Sequence, residues 1–233
     1  MSDESSPITR RTTRAVLFDL DGTLVDTIDD IALALNRALQ DHQVDRLPTS
    51  LVRTWVGKGA PRLIARALER SQVVADTPMK AAIFNEFIIH YERLHERSES
   101  TATLFPNVIS ALAALQSAGV ALSVVTNKQR NLACATLRHV GLLSYFDHIV
   151  GGDTCAQRKP HPMPILHACA LLGVAADAAV MVGDSMNDVD AARAAGVPVV
   201  CVPYGYNEGA SSDELTGDYL INSFAELPAL LGL

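Results

Sequence analysis

Two aspartates stand two residues apart, directly after an apolar run near the start of the chain. Asp19 and Asp21 follow Ala15–Phe18 and precede a Gly-Thr turn. Side chains two apart on an extended segment point to the same side, so both carboxylates can converge just past a strand's carboxyl end. Negative charges that close raise each other's pKa unless a cation lies between them. The pair is a candidate catalytic or metal-binding site, although a polar loop after a buried strand has the same pattern.

Two later segments carry groups that could bind phosphate. Thr126 and Asn127 follow an apolar run and offer a hydroxyl and an amide, which suit phosphate oxygens. The same dipeptide is common in ordinary turns and N-caps. Lys159 precedes a proline-rich stretch with few backbone conformers. That stiffness suits fixed placement of a cation, but a rigid surface loop with a solvated lysine would look alike.

A fourth segment adds two more carboxylates. Asp184 follows an apolar run, and Asp188 stands at the start of a predicted helix. Asp184 is expected level with Asp19 and Asp21, as a hard oxygen ligand for Mg²⁺, which usually takes one or two carboxylates plus a substrate phosphate. Asp188 either contributes to the site or is a first-turn carboxylate that the helix dipole favours.

The elements that must position these residues follow from an alternation along the chain. Short Val-rich runs alternate with Ala- and Leu-rich stretches of helical periodicity, each ending near a glycine. The predicted strands are Ala15–Phe18, Ala121–Val125, His148–Val150, 179–182, 199–202 and a weaker one at 219–221. The predicted helices between them are Val108–Ser117, 132–140, 164–172 and 188–195. This pattern predicts a parallel sheet covered on both faces, with its ligand site at the carboxyl ends of the strands.

The interval from about residue 26 to residue 103 breaks the alternation, because its patterns are helical only. The predicted helices there are Ile28–Asp41, 49–55, 61–71 and 78–97. An all-helical insert after the first strand is best explained as a cap over the site. We expect a core domain of residues 1–25 and 104–233, a helical cap domain of residues 26–103, and hinges near 26–29 and 101–106.

Composition limits the classes of partner. A length of 233 residues and a hydrophobic content of 48% allow a well-buried core with an insert. The net charge of −7 argues against nucleic acid, but one divalent metal would let a small phosphorylated metabolite bind. No apolar run reaches the ~18 residues that span a bilayer, so no membrane partner is expected. Residues 1–14 lack a signal-peptide apolar region and are expected to fray. The four cysteines show no Cys-x-x-Cys spacing, which predicts buried reduced thiols and a cytoplasmic protein.

Together the four segments resemble the haloacid dehalogenase-like (HAD) phosphatase superfamily. Its signature is Asp-x-Asp-Gly-Thr, a strand-end Thr or Ser, a Lys, and Gly-Asp with a further Asp, and all four parts stand intact here. The resemblance covers nearly the whole chain. It implies an α/β fold with a doubly wound, Rossmann-like parallel-sheet core and an inserted all-helical cap domain. It also implies phosphoryl transfer through an aspartyl-phosphate.

The resemblance assigns the reacting groups and the metal. Asp19 would be the nucleophile, and Asp21 would protonate the leaving alcohol and then take a proton from the hydrolytic water. Mg²⁺ would be held by the Asp19 side chain, the Asp21 backbone carbonyl and Asp184. Since the dehalogenases have no acid–base aspartate at the position of Asp21, phosphoryl transfer is favoured over dehalogenation.

The resemblance also assigns the groups that surround the phosphoryl. Thr126, Asn127 and Lys159 would bind the transferring phosphoryl oxygens. Asp188 would orient Lys159 or a metal-bound water.

The cap carries a narrower resemblance. Residues 54–64, which include Gly57, Lys58 and Gly59, resemble the cap loop of bacterial phosphoglycolate phosphatases. Two glycines let backbone amides approach a ligand closely, and the following helix N-terminus attracts anions. We expect this loop to contact the substrate's non-reacting end, unless it is a simple turn between helices. Lys58 could reach into the site, whereas Arg66, one of three arginines spaced by four, is expected on an exposed helix face.

Several functions stay open. The leading one is a Mg²⁺-dependent phosphatase that converts 2-phosphoglycolate to glycolate and phosphate, as a monomer or small homo-oligomer. A related phosphatase would act on another small phosphate ester or on pyrophosphate. A sugar-phosphate mutase such as a β-phosphoglucomutase would return the phosphoryl group to a sugar. A non-catalytic binding protein is expected to have lost Asp19, Asp21, Lys159 or Asp184, and none is lost.

Overall fold

The structure, a computed structural model, describes residues 13–233. The frayed tail expected at residues 1–14 therefore lies outside the described residues, apart from its last two. The strands are β1 (Ala15–Phe18), β2 (Val25–Asp26), β3 (Thr103–Leu104), β4 (Ala121–Val125), β5 (His148–Val150), β6 (Ala179–Gly183), β7 (Val199–Cys201) and β8 (Tyr219–Leu220). The α-helices are α1 (Ile28–Asp41), α2 (Thr49–Arg53), α3 (Ala60–Arg70), α4 (Thr77–Glu96), α5 (Val108–Ser117), α6 (Arg130–His139), α7 (Met163–Leu172), α8 (Met186–Ala195) and α9 (Leu227–Leu230).

Six strands form one parallel sheet in the order β5-β4-β1-β6-β7-β8. β1 is central, and Phe18 pairs in register with Val124 of β4 and Val182 of β6. The strand order reverses at β1, and such a switch point is where ligands bind in open α/β sheets. The predicted doubly wound α/β fold is confirmed, and the carboxyl ends of β1, β4 and β6 lie side by side.

Alternate residues of β1 enter two different apolar cores. Val16 and Phe18 pack with residues of α5, α6 and α9 on one face of the sheet. Ala15 and Leu17 pack with residues of α7 and α8 on the other face. Because helices cover both faces, all four residues of β1 are completely buried, which explains why its sequence is apolar throughout.

The helices α1 to α4 stand between β2 and β3 and enclose a third apolar core. Leu132 of α6 and Tyr206, which follows β7, also belong to this core, so the four helices rest on the sheet. At the entry and exit of this segment, β2 and β3 pair antiparallel, with Val25 opposite Leu104. The sequence pattern missed this ribbon, because strands of two residues are too short to show alternation.

The predicted elements agree with the observed ones to within two residues at each end. The glycines that follow α5, α6, α7 and α8 all have positive φ, as expected of helix C-termini. The cysteines are free thiols, but Cys134 and Cys155 are only half-buried, contrary to the prediction for them. None of the helices in residues 13–233 has the length and apolarity needed to cross a membrane.

Candidate active site

Three buried carboxylates meet at the carboxyl edge of the sheet. Asp19 follows β1, Asp184 follows β6, and Asp188 lies in the first turn of α8. One oxygen of each lies within 4.8 Å of the others. The parallel pairing of β1 with β6 produces this cluster, because it brings the residues that follow the two strands together.

The charge of Asp19 is compensated only in part, by a lysine that it shares with Asp188. Its Oδ1 atom is buried without a hydrogen bond, although Lys159 Nζ lies 3.0 Å away. Burial raises the pKa of Asp19 to about 6; the Lys159 ammonium opposes this shift, and the charges of Asp188 and Asp21 add to it. An acceptor of this kind suits a cation or an electrophile placed directly above the strand end.

Asp184 is fixed by contacts from two segments. Its Oδ1 accepts a hydrogen bond from the Thr23 hydroxyl at 2.8 Å, and its Oδ2 accepts one from the Tyr206 backbone N–H at 2.7 Å. A Cβ on Gly205 would lie 2.3 Å from Asp184, so the absence of a side chain there is a steric requirement. Burial raises the pKa of Asp184 to about 7, and the nearby charge of Asp19 adds to the shift.

Lys159 connects two of the three carboxylates. Its Nζ lies 2.6 Å from Asp188 Oδ1, which is the contact expected of a residue that orients Lys159. The other oxygen of Asp188 accepts hydrogen bonds from the backbone N–H and the hydroxyl of Ser185, which begins α8 with a capping box. Burial by itself lowers the pKa of Lys159, but Asp188 and Asp19 together raise it above its ordinary value.

The cluster fits a divalent cation. Asp188 is already neutralised by Lys159, which leaves Asp19 and Asp184 as adjacent buried oxygen donors with raised pKa values. Oxygen ligands of this type are those that Mg²⁺ takes. A cation between these two carboxylates would compensate the part of their buried negative charge that Lys159 does not balance.

Asp21 stands apart from the three carboxylates and has different partners. Its Oδ1 accepts hydrogen bonds from the Thr27 hydroxyl at 2.7 Å and from Lys128 Nζ at 2.8 Å. The Lys128 ammonium also donates to the hydroxyl of Tyr91, a fully buried residue of α4, at 2.7 Å. Burial by itself lowers the pKa of Lys128, but Asp21 and Tyr91 raise it above its ordinary value. Asp21 is thereby linked to both the sheet and the inserted helices.

Thr126 and Asn127 lie where the sequence predicts, just past β4, but only the Thr126 side chain keeps a hydrogen that a ligand could accept. The Thr126 hydroxyl oxygen accepts from the Lys128 backbone N–H at 3.2 Å, which leaves its hydrogen for a ligand. The Asn127 side-chain amide donates to the backbone oxygens of Gly57 at 2.8 Å and Lys159 at 2.9 Å. Both amide hydrogens of Asn127 are therefore occupied, so a ligand would have to use its backbone N–H.

The loop between α2 and α3 is fastened over the site. Gly57 and Gly59 have φ of +137° and +79°, values that favour glycine. Lys58 Nζ lies 2.9 Å from Glu208 Oε2, and Arg66 of α3 lies 3.5 Å from the same atom. Lys58 thus points to Glu208, and Arg66 is half-buried rather than exposed, which corrects the prediction for that arginine.

A cavity lies between this loop, the inserted helices and the strand ends. Lys58 is not among its lining residues, and its polar lining comes from Asp19, Asp21, Thr126, Asn127, Lys128, Gln129 and Arg158. The rest of its wall is mostly apolar and comes from α1, α3, α4, the loop before α3 and Leu132 of α6. Its volume of about 60 Å³ is far below the roughly 300–1,000 Å³ of sites for drug-sized ligands. The cavity as enclosed here admits only a small group.

Four residues that contact the site were missed from the sequence. Lys128 directly follows Thr126 and Asn127, and its position in that segment was an available signal. Tyr91 and Glu208 had no such signal, because their contacts depend on how the inserted helices and the loop after β7 meet the strand ends. Tyr206 belongs to a Tyr-Gly-Tyr-Asn segment whose plainest interpretation from the sequence is a turn with partly buried aromatics. Tyr206 also connects its turn to the start of the inserted helices, because its hydroxyl donates to Asp26 of β2 at 2.7 Å.

A parallel α/β sheet that gathers carboxylates and a lysine at its switch point is typical of hydrolases that act through aspartate. A family model of haloacid dehalogenase-like hydrolases matches residues 16–202. The chain belongs to that family.

Known relatives agree with this assignment. A plasmid-encoded phosphoglycolate phosphatase of Cupriavidus necator is 46% identical over 219 residues, which are 93% of this chain and 92% of that protein. The crystal structure of a protein described as a predicted phosphoglycolate phosphatase from Haemophilus somnus is 32% identical, with a TM-score of 0.86, and the match covers 94% of this chain and 98% of that one. CbbY from Rhodobacter sphaeroides, solved in complex with phosphate, is 28% identical, with a TM-score of 0.82 over 95% of this chain and 100% of that chain.

Proposed function

We propose that this protein hydrolyses 2-phosphoglycolate to glycolate and phosphate and that it requires Mg²⁺. The observation that carries the reaction is the position of Asp19, buried at the end of β1 between Lys159 and Asp184 and facing the small cavity. The substrate is proposed from the Cupriavidus necator phosphoglycolate phosphatase, which is 46% identical to this chain.

The side chains of Asp19 and Asp184 and the backbone carbonyl of Asp21 would hold the Mg²⁺. When bound, the ion supplies positive charge that polarises the phosphoryl oxygens and lessens their repulsion of the nucleophile. Lys159, 3.0 Å from Asp19, supplies a second positive charge on the same side. The Thr126 hydroxyl and the Asn127 backbone N–H would donate to the phosphoryl oxygens.

In the first step, a carboxylate oxygen of Asp19 attacks phosphorus, the bond to the ester oxygen breaks, and Asp21 protonates the departing glycolate oxygen. In the second step, water attacks the phosphorus of the aspartyl-phosphate while Asp21 takes its proton. Phosphate then leaves, and the Asp19 carboxylate is restored. General acid–base catalysis of this kind typically contributes about 10²–10⁴-fold.

Residues 26–103 are proposed to be a cap domain that opens and closes over a core of residues 1–25 and 104–233. The β2–β3 ribbon is the natural hinge, because it is the entry and exit of the helical segment and is only two residues long on each side. The loop with Gly57, Lys58 and Gly59 would then meet the substrate when the cap is closed. The free cysteines support a reducing compartment such as the cytoplasm, and a monomer or small homo-oligomer remains the prediction.

A panel of phosphate monoesters tests the proposal. Phosphate release is measured with Mg²⁺ and with EDTA for 2-phosphoglycolate, β-glucose 1-phosphate, xylulose 1,5-bisphosphate and pyrophosphate. We expect kcat/KM to favour 2-phosphoglycolate by about 100-fold, or about 2.7 kcal/mol, and EDTA to abolish turnover. A similar kcat/KM for all the compounds would reject 2-phosphoglycolate as the specific substrate. Net isomerisation without phosphate release would indicate a mutase.

One observation keeps a second substrate class in view. CbbY from Rhodobacter sphaeroides, 28% identical, was also solved with xylulose-(1,5)bisphosphate, which is larger than 2-phosphoglycolate. A cavity of about 60 Å³ leaves little room for such a sugar unless the cap moves outward. A preference for the bisphosphate in the panel would show that the cap adopts that more open arrangement.

A further inference from the structure

The cavity contains a positive charge that the reaction above does not use. Among the described residues, Lys128 and Arg158 are the cations that line it. Arg158 is half-buried, and its Nε donates to the Gly152 carbonyl at 2.6 Å. Lys128 is 9% exposed, and its ammonium is held between Asp21 and Tyr91. It is the more deeply placed of the two charges.

The position of Lys128 relative to Asp21 defines what it can reach. Asp21 is the group proposed to protonate the leaving oxygen, and Lys128 Nζ lies 2.8 Å from the same carboxylate. If Asp21 binds the leaving oxygen, a substrate group one carbon beyond that oxygen would be within reach of the ammonium. An ammonium has three hydrogens, and the contacts with Asp21 and Tyr91 account for two of them.

The cap lysine is placed for a different task. Lys58 is half exposed, and Glu208 binds its ammonium 2.9 Å away. Lys58 does not line the cavity, and its charge is paired with Glu208. Its ammonium is therefore not directed at a ligand in the cavity. A carboxylate in the cavity would meet Lys128 first.

We propose that Lys128 binds the carboxylate of the substrate and is the residue that selects esters with an anionic group next to the leaving oxygen. This inference rests on the proposed function and specifies its substrate recognition. Tyr91 is the positioning residue. Its hydroxyl accepts from Lys128 at 2.7 Å, and its ring centre lies 4.2 Å from the same nitrogen, so the inserted helices complete the anion site.

The test compares two esters of equal length. One is 2-phosphoglycolate, and the other is 2-hydroxyethyl phosphate, whose arm is neutral. The readout is the ratio of their kcat/KM values in Lys128→Met and in the unchanged protein. If the loss of Lys128 also impairs proton transfer by Asp21, the hydrolysis of both esters slows equally, and this effect cancels in the ratio. We expect the ratio to fall by about 30-fold or more, as for the loss of one partner of a buried charge pair.

Four further variants make the result specific. Lys128→Arg keeps the charge and should restore part of the ratio. Tyr91→Phe keeps the ring and removes the hydroxyl, so the ratio should fall by a few-fold. Lys80→Met makes the same chemical change at an exposed site on α4 and should leave the ratio unchanged. Lys58→Met tests the rival cation of the α2–α3 loop: because Glu208 binds that ammonium, this variant should lower the ratio much less than Lys128→Met does.

The outcomes separate the two proposals. If the unchanged protein prefers 2-phosphoglycolate and Lys128→Met keeps that preference, the role of Lys128 is overturned and the proposed function stands. The same holds if Lys58→Met, rather than Lys128→Met, removes the preference. If the unchanged protein does not distinguish the two esters, both proposals are overturned. Should Lys128→Met fail to fold, Lys128→Arg and Tyr91→Phe decide the question by the same ratio.

Discussion

The two sides of the cavity differ in the polarity of the side chains that form them. On the core side, Asp19, Asp184 and Lys159 are buried at strand ends or in the loop that follows one, and each contacts another charged or polar group of the site. On the side of the inserted helices, the proposed cap, the wall is mostly apolar, and its polar contribution comes from the Tyr91 hydroxyl and the loop before α3.

This difference in polarity gives the two sides different roles in the proposed reaction. Charges held rigidly at strand ends can stabilise a transition state, because they need no rearrangement when the reaction occurs. An apolar wall cannot do this, but it excludes water and limits the size of the ligand. We therefore expect changes at Asp19, Asp184 and Lys159 to impair catalysis or metal binding, and changes on the cap side to alter KM and selectivity. The predictions below test that expectation in order of decreasing effect.

The largest effect is expected from Asp19→Asn. The amide keeps the shape but is a poor nucleophile, so kcat should fall by about 10⁴-fold or more. Phosphate release under saturating 2-phosphoglycolate measures the loss. Since the substitution removes a buried negative charge, the variant should also unfold at a higher temperature in EDTA than the unchanged protein. A variant that is well folded and retains a hundredth of the activity would remove Asp19 from its proposed role.

Gly205→Ala should damage the core side without altering any charge. The added Cβ would lie 2.3 Å from Asp184, so the Asp184 side chain must shift from its present position. Displacement of a metal-ligating side chain typically costs about 10–100-fold in metal affinity or activity. We expect the Mg²⁺ concentration for half-maximal activity to rise by that factor. Gly141→Ala is the control, since nothing lies within 4 Å of its Cβ; it should lower stability through its φ of +74° but leave the Mg²⁺ dependence unchanged.

The sequence predicts the core side far better than the cap side, for a physical reason. Asp19, Thr126 and Asp184 each follow an apolar strand, and parallel pairing then brings strand ends together whatever the remaining detail. Local sequence pattern and sheet topology are therefore sufficient to predict that these three residues lie together. The fold class and the bounds of the longer elements were predictable on the same basis, whereas the family was predicted from the resemblance of the four motifs.

The cap contacts could not be predicted in this way. Tyr91 reaches Lys128 because α4 packs over α6, and Glu208 reaches Lys58 because the loop after β7 folds against the α2–α3 loop. Both contacts depend on the relative placement of segments far apart in the chain, which no local periodicity encodes. Asn127 is an intermediate case: its location was predicted, but its amide hydrogens are donated to Gly57 and Lys159 backbone oxygens.

The carboxylate cluster should make stability depend on pH and on metal together. The pKa values of Asp19 and Asp184 are about 6 and about 7 in the folded protein, above the ~3.9 of an unfolded aspartate. Without metal, the folded state therefore binds more protons than the unfolded state in this window. The free energy of unfolding should decrease as pH rises from about 4 to about 7.

Bound Mg²⁺ should compensate this loss, so it should stabilise the protein more at pH 7.5 than at pH 5. We expect the Mg²⁺-induced shift in Tm to differ by about 2 °C or more between the two pH values, as for 1 kcal/mol in a chain of this size. Thermal unfolding with Mg²⁺ and with EDTA measures it. The Asp184→Asn variant should lose most of the difference. Equal shifts at both pH values would mean that the cluster is not the metal site.

The smallest effect is expected from Glu208→Gln, a change in the core that loosens the α2–α3 loop. Glu208 binds Lys58 at 2.9 Å and Arg66 at 3.5 Å, and its Oε1 accepts from Asn187 Nδ2 at 2.5 Å. The glutamine can keep the Asn187 contact but not the two ion pairs. Because partly exposed ion pairs contribute about 0.2–1 kcal/mol each, KM should rise by a few-fold while kcat changes little.

Salt distinguishes a loosened cap loop from a damaged site. In the unchanged protein, higher ionic strength should raise KM, because it weakens the Lys58 and Arg66 pairs with Glu208. The Glu208→Gln variant should start with a higher KM and respond less to salt. Should kcat fall instead, with KM unchanged, Glu208 would act on the core side through Asn187, and the division between the two walls of the cavity would not hold at this residue.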